Sequence, residues 1–355
     1  MKEIIINTGN TTSIVKLGES IENINNYASI ENTVIITDEN VNRLYSSHFL
    51  KYKTIVIGTG EEIKNIGAVE YIIKKLIELE CDRKTFILGI GGGVVCDIAG
   101  FAASIYMRGL SFGFISSSLL SQVDASVGGK NGVNIDGIKN MVGTINQPEF
   151  VICDHKMLRT LPDDEYINGM AELIKTSCLE NNGLFQFISD NRDELLKRNK
   201  DIINEDIISE VVYRSVKFKA KIVEEDEKET GIRKILNLGH TLGHGIEKVK
   251  SLKHGFAISI GMSFALYVSR DLGFLDISTE REIIDILKYF GLPTKLNEIA
   301  DKQDINDIID AVRIDKKRGA DSIDFVLLGG IGNAIIKKID YDELAKYILN
   351  KGGEL

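Results

Sequence analysis

The chain has 355 residues, 43 Lys plus Arg against 52 Asp plus Glu and a formal net charge of -9, and it is long enough for two domains or one large one with a sizeable core. A composition of 43% hydrophobic and 27% charged residues excludes a disordered or fibrous chain. The acidic balance argues against general nucleic-acid binding, which needs a broad basic face, but leaves room for a small basic pocket.

The N-terminal MKEIIINTGN has the character of neither a signal peptide nor an anchor. No later apolar run reaches the ~18 residues of a membrane span, so no membrane partner is expected. In chain order, 33–40, 54–62, 85–93 and 109–118 read as strands rich in β-branched residues that end in Gly, Ser, Thr or acidic loops. Helical spacing fills 62–81 and the stretch from Asp97 to Met107. Strand, helix, strand in succession implies a mainly parallel α/β sheet, whose ligands bind at the carboxyl ends of the strands. From about Pro148 the pattern changes to helical periods at 164–180, 183–197, 204–223, 236–249, 256–272, 278–290 and 304–313, with a hairpin at 324–339. The expected organisation is an α/β nucleotide-binding domain over 1–150 and a mostly α-helical domain over 151–355. Cys81, Cys96, Cys153 and Cys178 are scattered, which fits free, buried thiols in a reducing cytosol.

Gly89-Ile90-Gly91-Gly92-Gly93 closes a predicted strand and opens a helix. Glycines there let a pyrophosphate approach backbone N–H groups at a helix N-terminus. Val94 stands where the dinucleotide fingerprint needs its third glycine, so the segment alone reads equally as a phosphate cradle or a close-packed turn. Gly128-Gly129-Lys130 lies in a loop dense in small and polar residues and is not a P-loop, which disfavours nucleotide triphosphate hydrolysis. Arg108 ends the helix after the glycine loop, where it serves either the helix dipole or a phosphate.

The chain has five histidines, and three fall within fifteen residues: His240 and His244 at i and i+4 on one helical face, then His254. Three protein ligands and an open position suit a catalytic zinc or related ion; histidines of the surface or core are the alternative. Glu172, among apolar neighbours in GMAELIK, is the candidate carboxylate. Burial would demand a partner such as a metal, whereas an exposed helix pair with Lys175 is the bland reading.

In order, GGGVVCDIAGF, YMRG, QVDASVGGKNGVN, KNMVG, LPDDE, AELIK, LNLGHTLGH, HG and DKKR resemble the 3-dehydroquinate synthases of the shikimate pathway, sugar-phosphate cyclases, from about residue 33 to residue 328. Such enzymes are carbon–oxygen lyases of chorismate and aromatic amino acid biosynthesis. They turn 3-deoxy-D-arabino-heptulosonate 7-phosphate into 3-dehydroquinate and phosphate by transient oxidation with NAD, β-elimination, reduction and an intramolecular aldol. The resemblance implies NAD and a divalent metal (zinc or cobalt), a sugar-phosphate substrate in a cleft between the domains, a cytoplasmic location and a homodimer. It implies Glu172, His240 and His254 as metal ligands and His244 in a proton relay. Asp124, Lys130, Lys175, Lys219, Arg233 and Asn237 would contact the substrate or orient the relay, while Arg108, Asn140 and Lys317 would hold its phosphate. For NAD it implies Asp38, Asn40, Glu61, Lys64, Gly92, Gly93, Asp97, Ser117, Ser118, Lys139, Thr160 and Leu161; an acidic residue after an early strand favours NAD over NADP. A phosphate and a carboxylate need several local cations, so the net charge conceals a basic pocket.

Three departures stand out: Ser116-Ser117-Ser118-Leu119-Leu120 in place of the family's PTTLL, Cys96 in place of a glycine, and Phe256 in place of Glu after His254-Gly255. Rival readings are another cyclase such as a 2-deoxy-scyllo-inosose synthase, a metal-dependent polyol or glycerol-phosphate dehydrogenase, and a non-catalytic binding homologue.

Overall fold

The structure, a computed structural model, describes residues 1–9, 11–197, 204–313 and 321–351. It opens with β1 (Lys2–Thr8) and β2 (Thr11–Leu17), an antiparallel hairpin that sets Ile4 opposite Val15. There follow β3 (Thr33–Asp38), α1 (Glu39–Tyr45), β4 (Lys53–Ile57), α2 (Ile66–Glu78), β5 (Phe86–Gly91), α3 (Gly93–Ile105) and β6 (Phe112–Ser116). A second hairpin, β7 (Lys130–Ile135) and β8 (Ile138–Ile145), precedes β9 (Phe150–Cys153).

One seven-stranded sheet has the order β1-β2-β9-β6-β5-β3-β4, and it is parallel except at the β1–β2 edge. The residues of β3, β5 and β6 are buried almost without interruption, as expected for strands covered on both faces. Ile35, Leu88, Ile90, Ile115 and Ile152 meet in its core. Helix α2 shows why the crossovers are helical: Asn65 caps it by accepting from the Ala68 N–H, and Val69, Ile72 and Leu76 form its buried stripe.

Helices α4 (Asp163–Leu179), α5 (Leu184–Asp190), α6 (Arg192–Leu196), α7 (Glu205–Glu225), α8 (His240–Lys250), α9 (His254–Asp271), α10 (Ile277–Tyr289) and α11 (Lys302–Val312) follow. The hairpin β10 (Ser322–Leu328) and β11 (Ala334–Asp340) and then α12 (Tyr341–Lys351) complete the order. The chain forms two compact units, Met1–Tyr166 with Lys197–Lys228 and Ile167–Leu196 with Glu229–Leu355. This differs from a division at residue 150. Helix α7 belongs to the first unit because its apolar stripe, including Ile208, Val211 and Val212, is buried in a helix that packs on β1.

The expected strands and most helices occur with ends shifted by a few residues. The 183–197 helix breaks at Asn191, and the stretch read as a polar loop around Lys130 instead forms a π-helical turn over Ser121–Ala125 followed by the β7–β8 hairpin. All four cysteines are free and buried, and no described helix is long and apolar enough to cross a membrane.

His155, to which the sequence assigns no chemistry, is a buried strut. Its Nδ1 lies 3.0 Å from Gln122 Oε1, while Gln122 Nε2 donates to the carbonyls of Ser116 and Asp154. Burial pushes the imidazole down to about 4 from an ordinary 6.5. The unfolded chain therefore binds a proton there that the folded chain refuses, and this contribution to stability is complete above pH 6.5 and falls as the pH drops towards 4. His155→Leu should flatten the pH dependence of the unfolding free energy obtained from urea titrations across that window by up to about 1.4 kcal/mol per pH unit. An unchanged slope would show that His155 is not the group responsible.

Candidate active site

In the second unit, Glu172 sits inside α4 with no exposure to solvent. Its Oε1 lies 3.2 Å from His254 Nε2 and 3.8 Å from His240 Nε2, and its Oε2 is ion-paired with Lys175 one turn along the helix. Donor atoms of Glu172, His240 and His254 all lie within 4.8 Å of one another.

Glycines make this convergence possible. A Cβ on Gly261 of α9 would sit 1.9 Å from the Gly239 carbonyl, and one on Gly255 would sit 2.1 Å from the Asn168 carbonyl. The starts of α8 and α9 can therefore approach each other and α4 at backbone distance, and Gly255 N–H donates to Asn168 Oδ1 at 2.6 Å. Gly239 and Gly255 flank histidines in LNLGHTLGH and HG, whereas Gly261 lies further along α9.

Burial alone would raise the Glu172 carboxyl, but Lys175, His254 and His240 outweigh it and hold the group well below the usual carboxylate range. Burial, with Lys175 adding to it, holds His240 neutral, and its Nδ1 lies 3.2 Å from the Leu238 carbonyl. A neutral imidazole that donates through Nδ1 leaves the Nε2 lone pair for a ligand. For His254, burial opposes the charged form, yet hydrogen bonds to Glu172 and Glu247 raise it to about 9. Two imidazoles and one carboxylate with their second ring nitrogens engaged form a donor set suited to zinc or a related divalent ion.

His244 projects from the next turn of α8 and is half exposed, its ring 5.2 Å from that of His240. Arg233 is buried in the 3-10 turn over Ile232–Asn237, and Asn237 Nδ2 donates to Glu229 Oε1 at 2.5 Å.

In the first unit the chain runs from β3 outward to β4 and then returns across β3 to β5, so the carboxyl ends of β3 and β5 form the topological switch point of the sheet. Asp38 ends β3, caps α1 and accepts from the Val41 N–H, with burial raising its carboxyl. Gly92 and Gly93 follow β5 and open α3. Buried Lys64 pairs with Asp97 of α3 at 2.6 Å and donates to Asn140 Oδ1 at 2.6 Å. Asn134 joins this network by donating to Glu61 at 2.8 Å and accepting from the Asn140 N–H at 2.9 Å. Ser118 hydrogen-bonds Ser121, Ser117 is buried, and the Thr160 hydroxyl lies 2.7 Å from that of Tyr45. Lys219 Nζ donates to Asp124 twice, at 2.6 Å to the carbonyl and 2.7 Å to Oδ1. Arg108 is exposed with φ of 69°, Lys130 begins β7, and Lys139 lies on β8. Asn40 accepts from Arg43, and Leu161 ends the turn over His155–Thr160. Lys317 lies outside the described residues.

Residues 54–168 match the family model described as 3-dehydroquinate synthase N-terminal, and residues 169–318 match 3-dehydroquinate synthase C-terminal. The chain belongs to the 3-dehydroquinate synthase family. A 3-dehydroquinate synthase of Alkaliphilus metalliredigens is 37% identical over 330 residues, 90% of each chain, and one of Pyrococcus abyssi is 43% identical over 300 residues, 84% of each. Among solved structures, 2-epi-5-epi-valiolone synthase from Streptomyces hygroscopicus, with NAD+ and Zn2+ bound, superposes with a TM-score of 0.85 at 22% identity over 100% of this chain and 99% of that one. A 2-deoxy-scyllo-inosose synthase complexed with carbaglucose-6-phosphate, NAD+ and Co2+ gives 0.83 at 24% identity over 98% and 99%. At these identities the structures establish the shared fold, while the sequence relatives favour the 3-dehydroquinate synthase reading over the other cyclases and the dehydrogenases.

Glu247, Glu229 and Asn134, which the sequence did not single out, hydrogen-bond the candidate residues His254, Asn237 and the pair Glu61 and Asn140 respectively. Glu247 carried a weaker signal than Glu172: it stands three residues after His244 on the same helix, but Lys248 follows it directly, so the local pattern reads equally as an exposed charged face. Glu229 and Asn134 carried no signal in spacing or composition. Of the departures, Cys96 is a buried thiol at the start of α3, pushed well above its ordinary range by burial, and Phe256 is half-buried on α9. Replacing Gly255 with Ala should lower stability by about 1–3 kcal/mol or more, because backbone rather than a yielding side chain blocks the new methyl group. Thermal denaturation of the metal-free protein checks this, and an unchanged midpoint would show that α9 does not need so close an approach to α4.

Proposed function

We propose that this chain is a 3-dehydroquinate synthase of the shikimate pathway, a lyase that converts 3-deoxy-D-arabino-heptulosonate 7-phosphate to 3-dehydroquinate and phosphate. The observation that carries the reading is the convergence of Glu172, His240 and His254 within 4.8 Å in a chain whose two halves both match that family. When bound, NAD takes and returns a hydride, and zinc or cobalt at the Glu172–His240–His254 donors makes a substrate hydroxyl more acidic.

The chain's own residues do the rest. Asp38, Asn40, Glu61, Lys64, Gly92, Gly93, Asp97, Ser117, Ser118, Lys139, Thr160 and Leu161 bind and orient the dinucleotide, with the Gly92–Gly93 helix start favourable for its pyrophosphate. Arg108, Asn140 and Lys317 hold the phosphate of the substrate. Lys130, Lys175, Arg233 and Asn237 bind its carboxylate and hydroxyls, and the Asp124–Lys219 pair keeps an ammonium oriented towards it. His244, half exposed beside His240, moves protons to and from substrate oxygen. A cytosolic homodimer completes the proposal; the family resemblance supports it, and the four free thiols fit the cytosol.

Purified protein supplied with NAD, Zn2+ or Co2+ and the heptulosonate phosphate should release phosphate and form dehydroquinate with no net accumulation of NADH. Phosphate release without dehydroquinate, or no turnover with metal demonstrably bound, would overturn the assignment. Glu172→Gln should weaken metal affinity by more than about 100-fold, beyond the usual range for residues that only support a ligand. Metal analysis after dialysis reads this, and unchanged metal content would remove Glu172 from the donor set.

A further inference from the structure

Glu247 is a carboxylate with 1% side-chain exposure that the proposed reaction does not use. It lies on α8 three residues after His244, and its Oε1 is 3.2 Å from His254 Nδ1 while Oε2 is 4.0 Å from His244 Nε2. The other nitrogen of His254, Nε2, is 3.2 Å from Glu172. The ring is therefore held at both ends by buried carboxylates from different helices. A ring whose Nδ1 carries a hydrogen and donates it to Glu247 has its lone pair on Nε2, the atom that faces the Glu172 site.

His244, Glu247 and His254 also have donor atoms within 4.8 Å of one another, which raises the question of a separate ion site. A ring can serve both groups only by ligating through both nitrogens, which requires removal of both ring protons. The short contacts of His254 to Glu172 and Glu247 place it with the first group, with Glu247 as its support.

We propose that Glu247 is the positioning residue of His254, accepting its Nδ1–H so that Nε2 is presented at the Glu172 site, and that it makes a carboxylate at position 256 unnecessary. This rests on the reading of Glu172, His240 and His254 as metal ligands. The second half follows from helix geometry. Position 256 is two residues beyond His254 on α9, and side chains at i and i+2 point away from each other. A carboxylate there does not reach the ring that Glu247 already holds, so Phe256 costs the site little.

The test is Co2+ binding to the full chain, followed by the visible absorption of the ion in competition with a chelator. The paramagnetically shifted Nδ1–H signals of ligating histidines and NADH binding by fluorescence are recorded alongside. Glu247→Ala should weaken Co2+ binding about 10–100-fold, speed solvent exchange of one Nδ1–H signal while sparing that of His240, and leave NADH binding unchanged. Glu247→Gln, which keeps an acceptor oxygen and suits the case where the alanine variant does not fold, should recover at least half of that loss on a logarithmic scale yet remain measurably weaker than the parent. Phe256→Glu should change Co2+ affinity by less than about threefold, well short of the usual loss for an outer-shell partner. Parent-like affinity and exchange in both Glu247 variants would overturn the proposal, as would marked tightening by Phe256→Glu. Failure of the parent to bind Co2+ would overturn both this inference and the ligand assignment. Co2+ binding that depends on Glu247 in a protein that forms no dehydroquinate would uphold the inference while removing the proposed reaction.

Discussion

A carboxylate with no access to water, in the middle of a helix, constrains the second unit more than any other group. Burying the Glu172 charge is unfavourable unless cations and hydrogen-bond donors meet it. Lys175 can be supplied by α4 itself, one turn away. The imidazoles cannot, and they arrive from the first residues of α8 and α9. Three helix segments must then come together within reach of one side chain, which ordinary side chains between them would prevent. The glycines at 239, 255 and 261 resolve this conflict, so a requirement of electrostatics is met by the absence of Cβ atoms.

The first unit follows a related logic at the carboxyl edge of its sheet. Its buried or half-buried cations are held by anions: Lys64 by Asp97, Lys219 by Asp124. Such pairing lets ammonium groups be stored in a protein interior with a defined direction. It also explains why a net charge of -9 says little about the local chemistry. The same Lys64 reaches Asn140 on the β7–β8 hairpin, so a residue expected to serve the cofactor and one expected to serve the substrate phosphate share a hydrogen bond.

Much of the fold was legible in the residues because burial leaves a periodic trace. β3, β5 and β6 are covered on both faces, and their unbroken β-branched runs have few other readings. The β7–β8 hairpin resembles a loop in sequence because Gly132, Asn134, Gly137 and Asn140 dilute its strand pattern, although backbone pairing through Gly132 and Gly143 holds it. At the candidate site, histidine spacing singled out His240, His244 and His254 together, but whether Glu172 was buried or merely an exposed partner of Lys175 depends on what α8 and α9 place over it. That is a tertiary fact with no local signature. Glu247 is a similar case, since Lys248 beside it suggests an exposed charged face and its significance appears only with the His254 ring against it.

The return of α7 to the first unit has a bearing on how this molecule can be taken apart. Between Glu172 and His240 the chain leaves the second unit, contributes residues 197–228 to the first, and comes back. No single cut in the backbone separates the two bodies. A fragment ending near Tyr166 would leave β1 without the helix that covers it, and the remainder would carry α7 with its apolar stripe uncovered. Isolating the second unit calls for excising the α7 segment and rejoining the chain across the gap, a rearrangement of connectivity rather than a truncation.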